Sequence, residues 1–297
     1  MSLTKVSYSM ISGSPANVLD FGAVGDGVTD DTAAIQAALD TAYEVYLPSG
    51  DYLVTDTVYL RSGNKLIGSG AYSKILTSAV RTSNVFPILK VDGDVAFQYE
   101  IRVQDINIVG YDSGETPTST KHNTGIHLSN SALVVLDNVR INDCYVGIDG
   151  YCVYSHNYNK VAMFNGYLAY RNNPTDALAL GSGCTSLQFT NCGASNFVQG
   201  LQLRNTIYSK FDGYIEQVEK SNPMCEANIT PICIRLDGNC QVDFYVGFEQ
   251  IDAMLLYNTG ASMIKLGGFF APSTQFLADV ARNSNVPLGS QALLSVG

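Results

Sequence analysis

Two short segments hold the residues whose types and spacing could do chemistry. In 211–217, Phe211, Gly213, Ile215 and Gln217 alternate with Asp212, Tyr214 and Glu216. In 242–250, Val242, Phe244, Val246, Phe248 and Gln250 alternate with Asp243, Tyr245, Gly247 and Glu249. A strand turns successive side chains to opposite faces, so the apolar sets pack inward and the Asp/Tyr/Glu sets face outward. The spacings from Asp212 to Asp243 and from Glu216 to Glu249 each suit one long turn of a coiled chain. Such a turn would bring the segments side by side. Hydrolysis of a glycosidic bond needs such carboxyls: one, protonated, donates to the leaving oxygen, and the other, ionised, activates water or attacks the sugar. Like-charge proximity and partial burial would separate the two pKa values. Glu216 is the first candidate acid, with Asp243 or Glu249 as partner. Asp212, Tyr214, Tyr245 and Arg235 are the candidate substrate-binding residues. With 18 tyrosines and no tryptophan, the tyrosines are the available sugar platforms. The same acids also fit an ordinary solvated face bridged by Lys210 or Arg235, and Gln217 and Gln250 fit an inward amide ladder.

Other polar residues invite quieter readings. Asp26, Asp30 and Asp31 read as turn and helix-cap residues. His127, between Ile126 and Leu128, reads as a satisfied outward histidine. Tyr151, Tyr154, Tyr158, Tyr167 and Tyr170 surround His156 in the sequence and fit a glycan groove, a subunit contact or plain packing. Seven cysteines, with no C-x-x-C pair, read as free buried thiols; neither a disulfide framework nor a zinc site is expected, and no metal or cofactor is predicted.

The elements that would position these residues are short. Ile35, Ala38, Leu39 and Ala42 share one face of a short helix. Around it lie strands of three to five residues separated by turns such as Gly25-Asp26-Gly27 and Pro48-Ser49-Gly50. Asp20-Phe21-Gly22-Ala23, Gly25-Asp26-Gly27, Asp30-Asp31-Thr32, Ala34-Ile35-Gln36, Leu47-Pro48-Ser49-Gly50 and Leu66-Ile67-Gly68-Ser69-Gly70 together resemble the amino-terminal signature of the pectate-lyase-like β-helix superfamily. Thr4 to Ile11 is similar to the lead-in of phage tailspikes. The resemblance implies an all-β fold: a right-handed, single-stranded parallel β-helix with a short N-terminal capping α-helix. Residues 1–17 would be a lead-in segment and 18–297 the β-helix domain, with a cap region over 18–76. Coil repeats are then expected, and Gly125, Gly147, Gly166 and Gly200 open similar apolar stretches.

The superfamily contains hydrolases, lyases, epimerases and adhesins, so its signature specifies fold far better than reaction. The Asn-Thr-Asp and Gly-His-Gly motifs of polygalacturonase-like hydrolases and the Arg-x-Pro-x-x-Arg motif of calcium pectate lyases are missing from the sequence. The resemblance implies a tailspike that hydrolyses a bacterial surface polysaccharide, as a homotrimer on the phage virion tail acting outside the host after folding in bacterial cytoplasm. The alternatives are a polysaccharide lyase acting by β-elimination and a glycan-binding spike without catalysis. Basic residues are few, 17 Lys+Arg against 27 Asp+Glu, which weighs against elimination on a strongly anionic sugar. The net charge of −10 also argues against nucleic acid, and no apolar run reaches the ~20 residues of a membrane span.

Overall fold

The computed structural model describes residues 13–77, 86–91, 93, 96–110, 123–172, 183–219, 221–222, 225, 229–251, 253–258, 262–267 and 293–296. The chain winds as a right-handed parallel β-helix. A 3₁₀ turn at Val18–Phe21, capped by the Asn17 side chain, leads into the helix Thr32–Thr41. That helix buries Ile35, Ala38 and Leu39, as their spacing requires; Ala42 terminates it. The Asp31 carboxylate, 1% exposed, accepts from the Val24 and Gly25 amides and so closes the preceding turn. Asp30 accepts from Thr32 and Thr55 and ties the helix start to the first coils.

Every strand pairing among the described residues is parallel, and three sheets form three faces. The first face stacks Lys65–Ile67, Arg102–Gln104, Val135–Asp137, Asn157–Asn159, the start of Gln188–Arg204, and then Lys210 and Asp243. The second stacks Lys74–Leu76, Asn107–Val109, Arg140–Asn142, Ala162–Phe164, Gly193–Ser195, Tyr214–Glu216 and Gly247–Glu249. The third stacks Leu89–Val91, Ile126–Leu128, Ile148–Gly150, Tyr170–Asn172, Leu201–Leu203, Ile234–Leu236 and Leu256–Asn258. Each coil leaves its apolar side open and its neighbours close it, at ~4.8 Å per rung.

The coil repeat differs from the glycine series expected from sequence in one member. Thr124 pairs with Val146, so Gly125 and Gly147 are equivalent, but the next equivalent is Ala169, followed by Gly200. Gly166 pairs with Cys144 and Phe197 instead. It is small for another reason: a Cβ there would meet the Phe197 ring at 2.3 Å.

Inside, Tyr158, Phe189, Phe211 and Phe244 occupy equivalent positions and pile along the axis, with Phe189 and Phe211 stacked at 4.0 Å. His156 is fully buried. One ring nitrogen meets the Tyr158 hydroxyl at 2.9 Å, the other the Ser131 carbonyl at 3.1 Å. Packing therefore accounts for Tyr158, Tyr170 and His156. All seven cysteines are free thiols, five of them buried, and burial pushes the Cys184 thiol up to about 12.

The corners between faces are built from residues with positive φ. One corner carries Asp143, Asn165, Asn196, Gln217 and Gln250 in successive coils. Their side chains form a ladder: Asn165 donates to Asp143, Asn196 to Asn165, and Gln217 to Gln250. The Gln217–Gln250 amide pair thus exists, but on the outer corner and exposed, not inward. A left-handed residue at position 217 breaks the alternation that would have sent it inside.

Candidate functional site

The alternation predicted for the two acidic segments holds. Phe211, Ile215, Val242, Phe244, Val246 and Phe248 are buried; Tyr214, Asp243, Tyr245 and Glu249 are exposed, with Asp212 and Glu216 half-buried. Register brings some predicted residues together and separates others. Glu216 lies directly opposite Glu249 on adjacent rungs of the second face. Asp243 lies opposite Lys210 on the first face, roughly 20 Å along the strand from Glu249. That exceeds the ~5–9.5 Å over which two carboxyls share one glycosidic bond. Asp212 is opposite Tyr245, not Asp243, and is 3.4 Å from the Lys210 ammonium. Lys210 and Lys265 flank the Tyr245 ring at 5.0 and 5.3 Å. This cluster is the solvated, cation-bridged arrangement.

Tyr214 rests closely against its neighbouring rung because position 193 is glycine. A Cβ on Gly193 would sit 2.0 Å from the Tyr214 ring. Burial and nearby Glu216 raise the Tyr214 hydroxyl pKa. Glu216, Glu249 and this ring form one compact carboxylate-and-platform patch. Arg235 belongs elsewhere, to the third face, where it donates to Asp237 at 2.9 Å and lies over Tyr257 at 5.5 Å.

That third face holds a second constellation, and most of it escapes a reading along the sequence. Tyr59, Lys90, His127, Asp149, Arg171, Gln202, Arg235 and Tyr257 occupy one position in eight successive rungs. At its centre Arg171 grips Asp149 with two bonds of 2.8 Å, while His127 Nδ1 lies 3.5 Å from the same carboxylate. The Asp149 side chain is only 14% exposed. Burial works to raise its pKa, but hydrogen bonds from Arg171 and His127 outweigh it and leave the carboxyl below its ordinary range. Asp149 in turn raises the Arg171 pKa. Beside this trio Tyr145 and Tyr167 stack at 4.8 Å with their planes 2° apart, and Tyr145 interacts electrostatically with Arg171. His127 Nε2 and Arg171 Nη1 carry no bond among the described residues. An ionised carboxylate thus orients an imidazole and a guanidinium, each with a face left to offer, next to two phenols.

The sequence signal for this row is periodic. His127, Asp149 and Arg171 recur at one constant interval, and Tyr145 and Tyr167 are separated by that same interval. Basic residues few on average are concentrated by stacking: Lys90, His127, Arg171 and Arg235 share one stripe. Mean composition therefore understates the positive charge available to an anionic ligand.

Residues 16–92 match the family model described as rhamnogalacturonase A/epimerase, pectate lyase-like. Mannuronan C5-epimerase AlgE5 of Azotobacter vinelandii is 54% identical over 61 residues, 19% of this chain and 6% of that protein. Alginate lyase 7 of the same organism is 52% identical over 61 residues, 19% of this chain and 7% of that protein. The matched segment thus spans a small fraction of these relatives. Among solved structures, the gp42 tailspike of Acinetobacter phage vb_AbaP_AS12 superposes with a TM-score of 0.71 at 15% identity, covering 89% of this chain and 46% of that one. The amino-terminal segment is thus similar to pectate-lyase-like proteins, and the chain shares the parallel β-helix fold of solved tailspikes.

Proposed function

We propose that the protein cleaves an acidic bacterial surface polysaccharide by β-elimination, on a phage tail, at the row centred on His127, Asp149 and Arg171. The observation that carries this reading is the convergence of imidazole, guanidinium and phenols around one ionised carboxylate. The names of the two Azotobacter relatives, an epimerase of mannuronan and a lyase of alginate, favour a uronate-containing substrate.

The chemistry follows from the groups present. Arg171 Nη1 pairs with the uronate carboxylate and stabilises the negative charge that spreads onto it as the C5 proton leaves. His127 Nε2, held by Asp149 through Nδ1, takes that proton. The electron pair forms the C4–C5 double bond, the C4–O bond breaks, and the leaving oxygen takes a proton from Tyr145. Asp149 is a positioning residue here. The stacked tyrosines also offer an apolar wall to a sugar ring.

Glu216 and Glu249 support a second reading, glycosidic hydrolysis. Their rung spacing of ~5 Å matches the separation in retaining enzymes, and Tyr214 supplies a platform. One assay on uronate-containing capsular glycans separates the readings. Elimination gives shorter chains with new near-ultraviolet absorbance, lost in Arg171→Ala and His127→Ala but kept in Glu216→Gln. Shorter chains without absorbance, lost in Glu216→Gln, establish hydrolysis. Undiminished chain length with measurable binding overturns both in favour of a binding spike.

A further inference from the structure

A cleft of about 280 Å³ opens where the capping helix ends against the first coil. The end of the helix Thr32–Thr41 forms one wall and the turn from Arg61 to Asn64 the other. Asn64, 5% exposed, joins the two. Its amide nitrogen donates to the Leu39 and Ala42 carbonyls at 3.1 and 3.4 Å, and its oxygen accepts from the Arg61 backbone amide at 2.7 Å. Ser62 is tied to the next coil, donating to Gln98 at 3.1 Å and accepting from the Tyr99 amide at 3.0 Å. The walls are therefore held in place before any ligand arrives, which keeps the ordering cost of binding low.

Three kinds of group line this cleft. A helix leaves its last four carbonyls without a partner in its own ladder. Asn64 takes two of them; those of Asp40 and Thr41 accept no hydrogen bond among the described residues, and the helix dipole makes this end partly negative. Next comes the Asp40 carboxylate, which accepts from Arg61 and from Gln36. The Asp40 and Arg61 side chains are each about half in solvent, 47% and 51% exposed, so both keep capacity for a further hydrogen bond. Tyr43, 74% exposed, supplies the aromatic surface. It lies over Gly63, where φ is 85° and a Cβ would stand 2.9 Å from the ring; the missing side chain is what seats the tyrosine.

We propose that this cleft binds one uncharged sugar ring of a surface glycan, at a site separate from the row on the third face. Its volume lies just below the ~300 Å³ at which small-ligand clefts begin, which suits one ring and not a chain of them. The Tyr43 ring packs against the C–H face of a pyranose. Ring hydroxyls both donate and accept, so they can donate to the Asp40 and Thr41 carbonyls and the Asp40 carboxylate while accepting from Arg61. Charge selects the uncharged ring: Asp40 already neutralises Arg61, and a uronate carboxylate would face a helix end of its own sign. The cleft therefore prefers a different sugar from the row, where Arg171 has a donor to offer. The two are close. Tyr59, the first member of the row, precedes Arg61 by two residues, and His127 is two rungs further, about 10 Å along the axis. A glycan with both acidic and neutral residues can be held at both.

The test is fluorine NMR of the full chain labelled with 3-fluorotyrosine. The Tyr43 signal is assigned by its loss in Tyr43→Phe, and Tyr72, 76% exposed and outside the cleft, is the internal control. The ligands are methyl glucoside, methyl galactoside, methyl mannoside and N-acetylglucosamine, with glucuronate as the charged counterpart. The expected result is saturable movement of the Tyr43 signal with at least one uncharged sugar, none with glucuronate, and a still Tyr72. Asp40→Ala should weaken that binding at least about tenfold, with its thermal transition as the check on folding. Arg61→Ala gives the same reading should Asp40→Ala melt lower. No saturable movement with any uncharged sugar, equal movement with glucuronate, or unchanged binding in the folded variants overturns the proposal. The Tyr43 signal reports this cleft alone and the absorbance assay above reports the row, so failure of either reading leaves the other standing.

Discussion

Acidification isolates the energetic role of His156. The ring is fully buried between the Tyr158 hydroxyl and the Ser131 carbonyl, and burial lowers its pKa to about 3. In the unfolded chain a histidine titrates near 6.5. A base whose folded pKa is depressed binds its proton more readily when unfolded. Its contribution is therefore intact above pH 6.5 and is lost as pH falls from 6.5 towards 3. Each pH unit in that window removes about 1.4 kcal/mol, so between pH 7.5 and pH 5 this group alone removes about 2 kcal/mol. Carboxylates titrate in part of the same range, and comparison with His156→Asn cancels them. The assay is urea unfolding followed by tyrosine fluorescence at both pH values. The wild type should lose about 2 kcal/mol more than the variant over that interval. The variant starts lower because it breaks the Tyr158 bond. Ring-selective NMR of the three histidines gives a direct check. If the His156 resonances move with a midpoint near 6.5, the reasoning fails.

Other perturbations probe the packing and the row. Gly166→Ala would place a Cβ 2.3 Å from the Phe197 ring and 2.4 Å from the Cys144 carbonyl oxygen, so we expect a loss of about 1–3 kcal/mol in denaturant melts. Phe211→Ala removes a central member of the aromatic pile and should cost about 3–5 kcal/mol by the same measurement. Asp149→Asn should lower kcat by at least about tenfold with little change in KM, because it unmoors His127 and Arg171 without removing either. Of the seven thiols, only Cys152 and Cys225 are not buried, so at most two should react quickly with a thiol reagent before unfolding.

The fold was legible because its signals are local. The turn at Gly25-Asp26-Gly27, the helix face of Ile35, Ala38 and Leu39, and the alternation from Val242 to Glu249 each fall within one window of sequence. Register was harder. The sequence spacing of Glu216 and Glu249 equals the length of the coil between them, whereas that of Asp212 and Asp243 is shorter. A ladder without a bulge admits only one of the two, and it sets Asp212 against Tyr245 and Asp243 against Lys210. The third-face row was missed because its members sit in different coils and none looks unusual beside its sequence neighbours. His127 could be read as a satisfied surface histidine, and it is partly that, through Asp149. Only the interval it shares with Asp149 and Arg171 distinguishes it. Arg235, grouped by sequence with Asp212, Tyr214 and Tyr245 as a substrate-binding candidate, lies on another face, since its strand stacks on the half of Gln188–Arg204 that follows the corner at Asn196.

The unequal coils have an evolutionary reading. On the third face the chain takes a longer path from Tyr170 to Leu201, and again from Leu201 to Ile234, than from Ile148 to Tyr170, yet its strands remain in register. The additional residues fall between rungs and leave the pairing of the rungs themselves unchanged. A lineage can therefore lengthen, shorten or replace one such insertion, and with it the shape of the outer surface, while every other coil keeps the partners it had. Surface novelty and core inheritance are separately variable in such a rod, which suits the role proposed above, in which the outer face meets a glycan while the interior is kept.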